Sequence, residues 1–325
     1  MSHRLLLAVR GIALGLGLLL SSAAFAAWPD KPLKLIVPYA PGGTTDVLGR
    51  AVAEHLRKEL GQTVIVDNKP GANTGIGAMA LATSPPDGYT LLLATAATVV
   101  LNPLLNGKLA YDPAQLVPVA RVAITPLVLV TKVDSPMRSL ADLISNAKAQ
   151  PGRINYGSTG MGSSLHLAGE LLQIETGTQM VHVPYKGSAP ALTGVLGGEI
   201  NLVIDAVGSS MPLIEGGKLK ALAVTSAQRL PILAAVPTVA ESGYPRYEVS
   251  TWFGIVVPKG TPDEVVARLN TVLAGVVRDP AFRTQFEGLG MIVPEPMKPA
   301  DFRAYIAAES VKWGAVIKAR KITLD

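Results

Sequence analysis

The stretch LKLIVPYAPGGTTDVLGRAVAEHL, residues 33–56, changes character twice. An apolar strand runs into a Gly-rich loop, and the loop opens a helix on small hydroxyl residues. Leu48, Val52, Leu56 and Leu60 recur every fourth place and give one buried stripe, and Gly61 then ends the helix. A second junction of the same form reads INYGSTGMGSSLHLAGELL, residues 154–172. A Gly-rich loop feeding a helix start presents unpaired backbone N–H groups at the positive end of the helix dipole, which suits an anion. Neither loop contains a lysine or arginine. Two such sites facing each other would grip a small acidic ligand, so the pattern points to carboxylate recognition more than to chemistry.

Working outward, short Val/Ile/Leu-rich strands alternate with helical stretches: 33–38, 63–67, 90–95, 126–131, 154–158, 201–205 and 221–225. Strands without clean polar alternation, separated by helices, predict α/β layers with largely parallel sheets. Two extended stretches read as crossings between domains: VPVARVAITPLVLV (117–130), bent at Pro126, and TWFGIVVPKGTP (251–262), followed by a helix from Asp263 to about Arg278. The expected division is a discontinuous first domain, 27–124 plus 252–325, and a second domain, 125–251. Paired hinge strands would then leave a ligand cleft between two α/β lobes.

Residues 1–26 read as processing information. Arg4 and Arg10 precede an apolar run from Gly11 to Leu20, and Ala24-Phe25-Ala26 forms an A-x-A cleavage site. The expectation is a cleaved secretory signal, a mature start at Ala27 and a periplasmic protein. Its removal lowers the formal charge from +5 to +3. The absence of cysteine excludes disulfides, thiolate metal sites and lipid attachment. Scattered lysines and arginines with few aromatics beside them argue against nucleic-acid binding. No cofactor motif is found: GANTGIG (71–77) lacks dinucleotide-loop spacing, and YGSTG is not a nucleophile elbow, because Ser158 directly follows Gly157.

In the first junction, Gly42 and Gly43 allow close backbone approach, and Thr44, Thr45 or Asp46 can cap the helix. Asp46 and Arg50, four apart, read as a pair along it. In the second, Ser158, Thr159 and Ser163 add neutral donors, while Gly160 and Gly162 keep the backbone accessible. His166 either faces the cleft or bonds a backbone carbonyl. Asp205, ending an apolar strand, either accepts a ligand amino group or caps the following turn, with the first preferred. Lys186 reads as solvent-exposed. His55 and His182 read as packed or surface residues, and no metal site is expected.

With these residues laid out, the chain resembles the Bug or TctC-like receptors of tripartite tricarboxylate transporters. The resemblance spans the mature chain, through WPDKPLKLIVPYAPGGTTD, DNKPGANTGIG, PDGYTLL, YGSTGMGSSLHLAGELL, HVPYKGSAPAL, VLGGEINLVID, VPTVAESGYP and TWFGIVVPKGTP. It implies a two-domain periplasmic binding protein fold, type II-like, whose cleft closes on a small carboxylate. By the same resemblance, the loops Tyr39–Asp46 and Ser158–Ser163 hold a carboxyl group largely through backbone amides and water. That places Gly42, Gly43, Thr45, Ser158, Thr159, Gly160 and Ser163 at the ligand, with Asn73, Thr95, Ala96, His166 and Asp205 as neighbours. Many relatives carry a further glycine where Asn73 or Thr74 stands here, which implies a narrower cleft. The implied function is a monomeric, non-enzymatic receptor that hands a small carboxylate (an organic acid, dicarboxylate or acidic amino acid) to a membrane permease through transient contact. A sensor feeding a signalling partner is the alternative; a hydrolase is the weakest reading, for want of a recognisable nucleophile–base pair.

Overall fold

The computed structural model describes residues 28–323, so the signal segment and the cleavage before Ala27 lie outside the described residues. Strand β1 (Leu33–Val37) leads to α1 (Thr44–Leu60), β2 (Val64–Asn68), α2 (Gly75–Ala82) and β3 (Thr90–Thr95). A π-helical turn, Ala97–Leu101, continues into α3 (Asn102–Leu105), and the long β4 (Leu116–Lys132) follows. Next come α4 (Leu140–Ala149), β5 (Asn155–Ser158), α5 (Ser164–Thr176), β6 (Val181–Pro184), α6 (Ser188–Gly197), β7 (Leu202–Ala206), α7 (Val207–Glu215) and β8 (Leu219–Val224). The chain ends with β9 (Ser250–Pro258), α8 (Asp263–Arg278), α9 (Pro280–Glu287) and α10 (Pro299–Arg320).

The strand order is β2-β1-β3-β9-β4-β7-β5-β6, with β8 also pairing β4. β1 is parallel to β2 and β3, and β5 is parallel to β6 and β7. The two parallel sets are joined through antiparallel β9 and β4. β4 is what unites them. From Leu116 to Pro126 it pairs with β9, and from Leu127 to Lys132 it pairs with β7 and β8. The change of partner falls at Pro126, which has no N–H to give a ladder. The strand predicted to bend there is therefore one continuous strand shared by two sheets.

Burial explains why these strands read as unbroken apolar runs. On β4, Leu127 and Leu129 join one core cluster while Val128 and Val130 join another on the opposite face. A strand covered on both sides has no polar face to alternate. In the first half, Leu48, Val52 and Leu56 of α1 pack on Leu35, Val37, Leu91 and Leu93, and Leu269 and Leu273 of α8 close the same cluster. Gly61 ends α1 in the left-handed conformation, its N–H bonded to the carbonyl of Arg57. The core cluster containing Leu129 and Leu167 also takes in Val100, Trp252, Phe302 and Trp313, so α10 spans both halves. Gly254 of β9 has no Cβ where the Phe302 ring lies, which lets α10 rest directly on the strand.

The register aims the functional loops. Thr95, the last residue of β3, lies opposite Phe253, which in turn faces Ala123 of β4. Ala206, the last residue of β7, lies opposite Leu127. β1 runs parallel to β3, and β5 to β7. The carboxyl ends of parallel strands from both sheets thus converge on the stretch of β4 where the sheets meet.

Candidate ligand site

In the first half, Gly42 is left-handed (φ 87°) and Gly43 is the N-cap of α1, with no side chain bonded to the helix start. The expected cap by Thr44, Thr45 or Asp46 is not what forms. Asp46 instead reaches back: its Oδ2 accepts the Gly42 amide at 3.0 Å and Arg50 Nε at 2.9 Å. Its Oδ1 accepts Asn68 Nδ2 at 2.9 Å, and that same amide group donates to the Tyr39 carbonyl at 3.0 Å. Asp46 is buried, and the Arg50 guanidinium beside it, helped by the Gly42 amide and Asn68, holds its carboxyl at about 2. The carboxylate shapes the loop, and the predicted Asp46–Arg50 pair is present. The first amides of α1 have no intrahelical acceptor, and Gly43 and Thr44 are exposed.

A second loop packs beside it. Ala72, Asn73 and Thr74 all have positive φ (47°, 46° and 76°), a run of left-handed residues that costs energy at each position. Tertiary bonds hold it. Asn73 Nδ2 donates to Asn102 Oδ1 at 2.7 Å, and Asn102 Nδ2 donates to the Asn73 carbonyl at 2.6 Å. Thr98 donates to the Thr74 hydroxyl at 2.9 Å and lies 3.3 Å from that of Thr95. Burial raises the pKa of the Tyr39 phenol. A line of hydroxyls, Thr95–Thr98–Thr74, therefore ties the end of β3 to the loop at 72–74. Ala96 is the uncapped N-cap of the π-helical turn, and Thr74 that of α2.

In the second half, Gly160 (φ 137°) and Gly162 (φ 71°) make the turn of the second junction. Ser158 is fully buried and its hydroxyl is used within the loop: it donates to the Gly160 carbonyl at 3.1 Å, accepts the Gly160 amide at 3.2 Å and lies 2.7 Å from His182 Nε2. Ser163 caps α5 through the His166 amide and donates to the Gly160 carbonyl at 2.7 Å. His166 is buried, and in place of a bond to a backbone carbonyl its Nδ1 accepts the Gly162 amide at 3.1 Å. Its ring stacks on that of His182 with centroids 3.9 Å apart. Burial lowers the pKa of both imidazoles, that of His182 to about 3. Thr159 and Gly160 keep partial exposure.

Asp205 is fully buried, accepting Ser188 Oγ at 2.5 Å and Ser210 Oγ at 3.1 Å. It thereby ties together the starts of α6 and α7, whose N-caps, Gly187 and Ala206, make no side-chain cap bond. Burial pushes its pKa up. Both Asp205 oxygens are taken up by serine hydroxyls, a role outside the two readings made of it from the sequence. Lys186 is exposed, and His55 sits 3.4 Å from Asp279, away from these loops. Surface grooves also occur at the opposite end of β4, one of them lined by Val117, Asn270, Lys298 and Arg303.

The Ser158–His182 contact is a serine–histidine pair that the sequence did not reveal. As a nucleophile Ser158 is enclosed by its own loop, and His182 Nδ1 is buried without a partner, so no carboxylate orients the imidazole. Sequence reasoning also missed Asn68, Asn102, Thr98, Ser188 and Ser210. The one signal that could have found some of them is a small polar residue where an apolar strand ends, as at Asn68.

Two α/β halves sharing a through-going strand, with glycine-rich strand ends turned toward it, define a periplasmic binding protein fold. The chain belongs to the tripartite tricarboxylate transporter family of receptors (TctC), whose sequence model matches residues 48–322. It is 38% identical to protein BugT of Bordetella pertussis over 318 residues, covering 96% of each chain. Among solved structures, R. palustris Rpa4515 with adipate is similar at a TM-score of 0.80 and 38% identity, covering 91% of this chain and 99% of that one. MatC from Rhodopseudomonas palustris with bound malate is similar at a TM-score of 0.75 and 30% identity, covering 89% and 100%.

Proposed function

We propose that this chain captures a small carboxylate, of the organic-acid or dicarboxylate class, between its two halves and delivers it to the membrane components of a tripartite transporter. The observation that carries this reading is the convergence on β4 of strand ends that continue into helix starts, those of α1, α2, α6 and α7 without a side-chain cap. Anion binding there is electrostatically favoured, each helix terminus contributing roughly 0.3–1 kcal/mol, and hydrogen bonds to a charged acceptor add about 1.5–3 kcal/mol each. The ligand-facing groups are the amides of Gly43, Thr44, Thr45 and Thr159, with the Gly160 amide held by the Ser158 hydroxyl. Asp46, Ser158, Ser163, His166 and Asp205 support them by fixing the loops. Relatives solved with adipate and malate agree with this ligand class.

In this reading the protein works as an exported monomer, with lobes of 27–124 plus 252–325 and 125–251 that close over the ligand about the shared strand. A thermal-shift series with adipate, malate, succinate and glutarate tests it. A ligand that binds only the folded cleft stabilises by about 2.7 kcal/mol at 100-fold excess over Kd. At least one of these acids should raise Tm and its dimethyl ester should not. Equal stabilisation by acid and ester would refute the carboxylate assignment.

A further inference from the structure

The second Gly-rich loop is connected to the far end of the chain. Gly162 N–H donates to His166 Nδ1 at 3.1 Å, so the imidazole proton sits on Nε2. Nε2 faces Glu170 Oε1, 3.7 Å away. Glu170 is buried one helical turn further along α5; its Oε1 accepts Tyr156 Oη at 2.7 Å and Gln173 Nε2 at 3.0 Å. Its Oε2 accepts the guanidinium of Arg320, the last residue of α10. Arg320 Nη2 also donates to Gln173 Oε1 at 3.2 Å. The charged groups around the His166 ring are thus Glu170 and Arg320, with the neutral His182 stacked on its face.

We propose that Arg320 is a positioning residue for the loop 158–163, acting through Glu170 and His166 on the orientation of Gly162. The physical reason is the fate of Glu170. A buried carboxylate stripped of its cation is strongly unfavourable and seeks another positive charge. His166, whose Nε2 stands 3.7 Å from Glu170, can supply it by taking up a proton. Burial is the main opposition to protonating this imidazole; of the charges beside it, Glu170 draws it toward protonation and Arg320 opposes it. A protonated Nδ1 has no lone pair for Gly162, so the turn at Gly160–Gly162 loses its internal anchor. Arg320 keeps Glu170 satisfied and His166 neutral, which keeps an acceptor under the loop. Because α10 packs on β4 and on Trp252 in the first half, the contact also ties this loop to the opposite lobe's helix.

The inference rests on reading loop 158–163 as ligand-facing, so it is tested without ligand. Amide hydrogen exchange on the ligand-free full chain should show residues 160–166 exchanging about tenfold faster in Arg320→Ala, as expected for loss of one charge-assisted contact. Exchange in β4 and β9 should not change. Arg320→Lys should restore most of the protection. His166→Asn places an amide oxygen where Nδ1 accepts while removing Nε2, so adding Arg320→Ala in that background should produce no further change. Unaltered loop exchange in Arg320→Ala, an equal rise across β4 and β9, or full additivity of the two substitutions would each overturn the proposal. If loop exchange responds as stated but no dicarboxylate raises Tm, the positioning role stands and the carboxylate reading falls.

Discussion

The half-buried His182 and the buried Asp46 lose their stabilising contributions in different pH windows, and the buried Asp205 shifts in the opposite direction to Asp46. His182 has its pKa depressed by burial to about 3, against about 6.5 in an unfolded chain. Between those values the unfolded state binds the proton, so stability present above pH 6.5 is lost as pH falls toward 3. The urea midpoint should therefore drop between pH 7 and 4.5, and His182→Gln, which cannot titrate, should show a smaller drop. Asp46 is a carboxyl lowered to about 2, so its contribution is complete above its unfolded value near 4 and disappears only as pH falls through 2. Asp46→Asn should lower Tm at neutral pH and flatten the loss below pH 4, which circular-dichroism melts would resolve. Asp205 moves the other way, with burial raising its pKa. Its oxygens already serve Ser188 and Ser210, so Asp205→Asn should leave the ranking of glutarate against glutamate in calorimetry unchanged. A reversed ranking would put that carboxylate at the ligand.

At the scale of the element, the first Gly-rich loop offers the cleaner probe of how the anion is held. Gly43 has ordinary φ (−80°) and nothing lies within 4 Å of a Cβ placed on it. Gly43→Val should therefore fold with Tm close to that of the parent, yet lose binding by more than about tenfold because the side chain covers the helix-start amides. Gly160, at φ 137°, strains any replacement, so a variant there mixes folding with binding. Ser158→Ala acts on stability, costing about 1–3 kcal/mol, because it strips buried partners from His182 and Gly160. The two junctions were legible in the sequence since strand, glycine turn and helix start are local patterns. What fixes them was not: Asn68, Asn102 and Ser210 reach their partners across the fold, and no spacing along the chain announces such contacts. The strand β6 escaped notice for a related reason. Its Val181 is exposed and Val183 only partly covered, so no run of buried residues marks it.

At the scale of the whole molecule, the long crossing strand and the helix from Asp263 were readable because both carry dense apolar patterns. The C-terminal helix α10 was not. Its buried positions include Glu309, bonded to Trp313 Nε1, while Val311 is 76% exposed, so its hydrophobic stripe is interrupted at the point where it lies across both halves. The strand order carries one more consequence, for assembly in time. β9 sits between β3 and β4, yet residues 133–249 separate β4 from it in the chain. As the polypeptide emerges from its N-terminus, every strand of the second sheet is present once Val224 is out, whereas β3 and the first part of β4 wait with bare edges until Ser250–Pro258 arrives. The half that begins the sequence is thus the last to close. During that interval Thr90–Thr95 is an apolar edge open to any other strand, which makes nascent chains arrested before Ser250 the form most prone to aggregate and most in need of a holding chaperone.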